Sequence, residues 1–162
     1  MSTSSDRKSA LKTELIASLK NELAIAEKAF ANTRAAATHE EAKPENDKDT
    51  RALEQSYLAR GQAQRVEELR GAVADAEAMQ LRDANDGKPI GVGLVVDISD
   101  GEKNASYFLA PHGGGVRLAE GAVQVVTPKS PLGRAFLGKR EGDETEVNLA
   151  GKTRVLSIDR VW

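Results

Sequence analysis

Between Thr38 and Asp49 the chain reads T-H-E-E-A-K-P-E-N-D-K-D, with five acids (Glu40, Glu41, Glu45, Asp47 and Asp49) against Lys43 and Lys48. Hard oxygen ligands of this kind suit Mg²⁺, which is usually held by one or two carboxylates and keeps several waters. Acids at a helix start also favour its dipole, and Asp47 and Asp49 suit that role. Two readings follow. The segment is a solvated loop entering a helix, or it holds carboxylates out toward a metal or a basic site in a partner.

Other chemical motifs fail on their missing halves. His112-Gly113-Gly114-Gly115 is like the oxyanion loop of some esterases, but no G-x-S-x-G nucleophile accompanies it. It reads as a hairpin loop. Gly151-Lys152-Thr153 ends like a P-loop, yet the required earlier glycine falls on Glu146. Gly91-Val92-Gly93 opens a strand instead of leaving one, so it is not a dinucleotide turn. His39 and His112 are the only histidines and lie in different halves, which argues against a shared metal site or dyad.

The acid-rich segment needs two elements to hold it, and the sequence supplies them. Ile16, Leu19, Leu23, Ala26 and Phe30 are spaced 3, 4, 3, 4, the seam of a paired helix expected over residues 9–37. Leu11, Leu15 and Ile25 broaden that seam. Lys12, Glu14, Lys20, Glu22, Glu27 and Lys28 read as its solvated face. A second helix is expected over 49–82, with Ala59, Val66, Leu69, Val73 and Ala76 in a heptad frame that Gln62 interrupts. Leu53, Tyr57 and Leu58 add bulk near its start. Helices joined by a short connection pack antiparallel. About 30 residues at 1.5 Å each give an arm on the order of 45–50 Å.

Glycine and proline change in frequency near residue 85. One proline and two glycines precede it; four and twelve follow. Asn85-Asp86-Gly87-Lys88-Pro89 is the boundary, since these residues favour turns. Beyond it, valine-rich or alternating stretches predict strands at 91–98, 105–110, 122–127, 144–149 and 153–162. Pro131 to Gly138 predicts one short helix, with Ser130 as N-cap, Pro131 at the first position and Gly138 just past the end. Trp162 reads as a strand-end core or edge residue. Four or five antiparallel strands with one helix make a small α+β domain.

Composition sets outer limits. Aromatics are 4% of the 162 residues, few for one broad core, and the formal charge of −2 gives no basic field for nucleic acid or anionic lipid. Cysteine is absent, which excludes disulfides and thiolate metal sites and suits a reducing cytoplasm. No 18-residue apolar run is present to cross a membrane. The polar start, Met1 to Ser9, has no secretory character.

Ser130-Pro131-Leu132-Gly133-Arg134-Ala135-Phe136-Leu137-Gly138-Lys139, followed by Gly142-Asp143-Glu144, closely resembles the S-P-x-G-x-A-L-L-G-K…G-D-x-V signature of bacterial Gre-type transcription elongation factors. Pro44-Glu45-Asn46 resembles that family's x-E-N tip. Glu54-Gln55, Gly61 and the closing strand from Lys152 to Val161 fall at compatible places. The resemblance covers roughly residues 8 to 162. It implies an α+β chain: an N-terminal antiparallel coiled coil over 1–84 with its tip at 38–49, then a C-terminal FKBP-like antiparallel β domain with one short helix over 85–162. It implies docking of the C-terminal domain on RNA polymerase, with Ser130, Pro131, Leu132, Gly133 and Arg134 as docking candidates. It implies that the coiled coil enters the secondary channel. There the tip acids, with Glu41, Glu45, Asn46 and Asp47 as candidates, help hold the polymerase's Mg²⁺ and a water. The polymerase then hydrolyses backtracked RNA, a two-metal reaction with one ligand set delivered in trans. On this reading the protein is a cytoplasmic monomer and no enzyme. It carries no cofactor of its own and meets nascent RNA only indirectly.

The family tip reads D-x-x-E-N. Three residues before Glu45 stands Ala42; Glu41 is four before it, with Pro44 between. Asp47-Lys48-Asp49 occupies the stretch where the family has an aromatic. Either Glu41 and Glu45 form the pair across one inserted residue, or the first acid is lost. The first alternative gives a cleavage-stimulating factor, and the second a non-cleaving regulator of initiation or pausing. Two other readings are a coiled-coil adaptor for another partner and a prolyl isomerase built on Tyr107, Phe108, Phe136 and Trp162.

Overall fold

The computed structural model describes residues 3–40 and 48–162. Two long helices come first, α1 (Ser4–Glu40) and α2 (Lys48–Ala78). A 3₁₀ turn (Ala84–Asp86), six strands and one short α-helix follow: β1 (Val95–Ser99), β2 (Asn104–Leu109), β3 (Arg117–Leu118), β4 (Val123–Val126), α3 (Pro131–Phe136), β5 (Glu144–Leu149) and β6 (Lys152–Val161). Contacts divide the chain into two compact units, residues 18–73 and residues 1–17 together with 74–162.

Helix α1 starts five residues before the expected position because Thr3 and Asp6 cap it reciprocally. The Thr3 N–H donates to Asp6 Oδ2 at 3.0 Å, and the Asp6 N–H donates to Thr3 Oγ1 at 3.2 Å. This is a capping box with Asp in the acidic place. The backbone N–H of Thr3 holds the Asp6 carboxyl below the usual carboxylate range.

Within residues 18–73, Leu19, Val66, Leu69, Ala72 and Val73 are buried, and Leu23, Ala26 and Phe30 are half-buried. The heptad reading of both helices holds over these positions. Arg65 pairs with Glu22 and Arg70 with Glu27, each at 3.3 Å. These flank the seam and, being half exposed, contribute little. Four apolar residues depart from expectation: Ile25, Leu53, Tyr57 and Leu58 are exposed. The narrow seam is occupied instead by Leu23, Ala26 and Phe30 of α1 and by Gln55, Ala59 and Gln62 of α2, all half-buried.

The other unit is built on a sheet of order β3-β4-β2-β1-β6-β5. All neighbours pair antiparallel except β2 and β4, which run parallel with Phe108 opposite Val125. That pair departs from the expected all-antiparallel sheet. The chain leaves β2, runs out to the short edge strand β3 and turns back, so β4 comes in beside β2 in the same direction. Strand β3 has two residues and no periodic signal, so the sequence did not reveal it.

One sheet face carries Val96, Ile98, Leu109, Val126, Leu156 and Ile158, and α3 covers it with Phe136 fully buried. The Tyr107 and Phe136 rings lie 5.6 Å apart. On the other face Val95, Phe108 and Val125 have no exposure. In the same unit Leu11 and Leu15 of α1, Ala76 of α2 and Met79 just beyond it are buried as well. Leu15 takes the buried place there, while Ile16 is half-buried. Trp162 is a core residue: its indole N–H donates to Asp97 Oδ2 at 3.0 Å, and Arg7 sits over its ring at 4.2 Å.

Helix α2 ends at Ala78, four residues before the expected end. Beyond it the backbone meets Gly93, where a Cβ would lie 2.3 Å from the Gln80 carbonyl oxygen. Lysines of α1 satisfy the carbonyls left open at this end. Lys12 Nζ donates to Glu77 O at 3.0 Å and to Met79 O at 2.6 Å, and Lys8 Nζ donates to the Arg82 carbonyl. Cations at a helix C-terminus are favourable in hydrogen bonding and in charge. Lys12 is therefore no simple member of a solvated face. Lys8 is buried, and this pushes its amine below the ordinary lysine range, against the opposing charge of Asp83.

Two turns fix the hairpins. Ala150 and Gly151 join β5 to β6 with φ of 51° and 77°, the left-handed pair of a two-residue turn. Between β1 and β2, Asp100 Oδ1 accepts the N–H groups of Lys103 (2.9 Å) and Glu102 (3.1 Å). These bonds hold the Asp100 carboxyl below its ordinary 3.8. Its contribution to stability is present above the unfolded-state value and is lost as pH falls through the folded one. Carboxyl NMR should therefore give Asp100 a midpoint below 3.8; a midpoint at or above it contradicts the turn. Phe136→Ala should cost about 3–5 kcal/mol in urea unfolding, as for a large aromatic removed from a closed core.

Candidate docking site

The candidate docking residues form one continuous turn of structure. Ser130 is extended, at φ −73° and ψ 155°, and caps α3. Its Oγ accepts the Gly133 N–H at 3.0 Å and donates to the Thr127 carbonyl at 2.8 Å. The Ser130 N–H reaches the same carbonyl at 3.0 Å. The helix start thus folds tightly over Thr127. A Cβ on Gly133 would lie 1.8 Å from that carbonyl oxygen, so only glycine fits.

At the other end Leu137 N–H donates to the Gly133 carbonyl, and Gly138 takes the left-handed conformation at φ 82°. Gly138 N–H then donates to Ile90 O at 3.2 Å, and Ile90 N–H to Lys139 O at 2.8 Å. Thr145 Oγ1 on β5 donates to Ala135 O at 3.0 Å, so α3 is fastened from the sheet side as well. Gly142-Asp143 forms the turn into β5, with Arg140 N–H donating to Asp143 Oδ2 at 2.8 Å.

The five residues divide into two groups. Ser130 and Gly133 are engaged inside the domain. Pro131 and Arg134 are exposed, and Leu132 is half-buried with its side chain against the core. Lys129, just before the helix, is exposed as well.

Glu41, Glu45, Asn46 and Asp47 lie outside the described residues. Among the described residues, no group of three or more His, Asp or Glu side chains is placed to hold a metal. No helix among them is long and apolar enough to cross a membrane.

Two contacts had no sequence signal. His112 Nε2 meets Asp75 Oδ2 at 2.6 Å, and the Ala119 N–H donates to Glu14 Oε2 at 2.9 Å. The loop from β2 to β4 is therefore pinned to both helix ends. The partners are 37 and 105 residues apart in sequence, beyond any local pattern.

The fold defines the class: an α+β protein with an N-terminal helical hairpin and a mixed sheet capped by one short helix. Residues 85–161 match the family described as transcription elongation factor, GreA/GreB, C-term. That match covers the C-terminal domain, just under half of the chain. Similar solved structures include one titled as the transcription factor Gfh1, at 16% identity and TM-score 0.40, covering 90% of this chain and 92% of that one. Gfh1 of Thermus aquaticus has 16% identity and TM-score 0.40, with 88% and 90% covered. A prokaryotic GreA/GreB factor from Nitrosomonas europaea has 17% identity and TM-score 0.37, with 57% and 77% covered. A search of the curated proteins finds no match.

Gly133→Ala should destabilise the protein by about 1–3 kcal/mol in urea unfolding, because α3 must lift off Thr127. Arg134→Ala should stay within about 0.5 kcal/mol of the parent, as an exposed change does. Equal stabilities for the two variants contradict this division of the motif.

Proposed function

We propose that this protein binds RNA polymerase through its C-terminal domain and places its helical hairpin in the secondary channel, where it modulates elongation. The match of residues 85–161 to the GreA/GreB C-terminal family carries this reading. The exposed part of the α3 surface supports it, because Pro131 and Arg134 are free to meet a partner while Ser130 and Gly133 hold the helix rigid. The protein is a cytoplasmic monomer with no catalytic centre or cofactor of its own. Its chemistry is exerted on the polymerase Mg²⁺ by Glu41 and Glu45, with Asn46 and Asp47 beside them, and nascent RNA is met only indirectly.

One sequence observation favours a second form of the same reading. Ala42 stands where the family's first tip acid stands. Without that ligand the protein occupies the channel and regulates initiation or pausing without cleavage.

Stalled elongation complexes distinguish the two forms. The cleaving form releases short 3′ RNA fragments on addition of the protein, and Glu41→Ala and Glu45→Ala each abolish the release. Cleavage that survives both substitutions removes the tip assignment. Polymerase binding without any cleavage selects the regulator. Failure to recover polymerase in a pull-down sinks both forms and favours a coiled-coil adaptor. Arg134→Glu should weaken polymerase binding about tenfold or more, equivalent to about 1.4 kcal/mol, with unchanged thermal stability. Unchanged affinity takes the docking surface off this face of α3.

A further inference from the structure

The first half of α2 is held to the hairpin much less firmly than the second. Residues 48–63 enter the seam through Gln55, Ala59, Gln62 and Ala63, each half-buried. The large apolar side chains stay outside: Leu53, Tyr57 and Leu58 are 56%, 61% and 54% exposed. From Val66 onward the seam closes, with Val66, Leu69, Val73 and Ala76 all buried. Gln62 adds a local penalty, since its amide oxygen is buried with no hydrogen-bond partner among the described residues.

Backbone preference points the same way. Residues 48–63 include Asp49, Thr50, Ser56 and Gly61, all poorer helix formers than alanine. The stretch 24–37 of α1 contains seven alanines, at 24, 26, 29, 31, 35, 36 and 37. Helical stability in proteins comes mostly from packing of an apolar face. Where that packing is thin, intrinsic preference decides, and here it favours α1 over α2.

We propose that residues 48–63 form a detachable segment, which unwinds as a local unit while 24–37 stay helical and the seam from Val66 to Ala76 stays closed. Proteins open in such units where buried apolar contacts are few. The device lies beside the acid-rich stretch in sequence and gives the hairpin its adjustable part. It stands independently of polymerase binding.

Amide hydrogen exchange on the full chain tests it. Amides of 48–63 should exchange at least about tenfold faster than those of 24–37 and of 66–76. Two glycine variants then separate local from global opening. Gly61 and Gly71 both have open space where a Cβ would go, so alanine fits at each. Gly61→Ala should slow exchange of 48–63 about fivefold, the effect of replacing a helical glycine by alanine. Gly71→Ala lies outside the segment and should leave that rate unchanged. Equal slowing by the two variants signals global unfolding and overturns the proposal. So does an absence of slowing by Gly61→Ala, or protection of 48–63 equal to that of 66–76.

Discussion

The central strands of the sheet are apolar on both faces, and that constraint organises the compact unit around them. Val95 and Val96 are adjacent and both have no exposure; so are Phe108 and Leu109. Adjacent residues of a strand point to opposite faces, so each pair requires a cover on each side. Helix α3 supplies one through Phe136, and buried Leu11, Leu15, Ala76 and Met79 belong to the same compact unit. The start of α1 and the end of α2 are structural parts of the same core.

That requirement explains the polar contacts at the helix ends. The last carbonyls of α2 have no partner within the helix. Lys12 and Lys8 meet the carbonyls of Glu77, Met79 and Arg82. Glu14 and Asp75 reach the opposite way and fix the loop that carries Ala119 and His112. The α3 motif follows the same logic on the other face. Ser130 and Gly133 bring the helix close over Thr127, and their identity is set by that approach. The functional claim on the motif therefore rests on its exposed members, Pro131 and Arg134, and not on the whole string.

Along the hairpin the energetic picture changes. Near its base, Leu, Val and Ala side chains close the seam. Farther along, half-buried Ala, Gln and Phe replace them. Coiled coils are held by the burial at their seam positions, and exposed ion pairs such as Arg65 with Glu22 do not substitute for it. The hairpin therefore has a firm base and a lightly held remainder, although its heptad pattern runs through both.

The sequence by itself determined a good deal. Periodicity established two paired helices, with Val66, Leu69, Val73 and Ala76 at the seam, because a helical repeat is a local property. Ser130, Pro131 and Gly138 marked α3 correctly, because caps and turn glycines are read from neighbours within four residues. The motif from Ser130 to Lys139 pointed to the same GreA/GreB C-terminal domain that residues 85–161 match. The short strand β3, the parallel pairing of β2 with β4 and the early end of α2 at Gly93 came only from the tertiary structure. So did the exposure of Leu53, Tyr57 and Leu58, and the division of the candidate docking motif into engaged and exposed residues. Each of these depends on which distant segment lies alongside. Hydrophobic pattern says that a side chain needs cover, but the three-dimensional path of the chain decides what provides it.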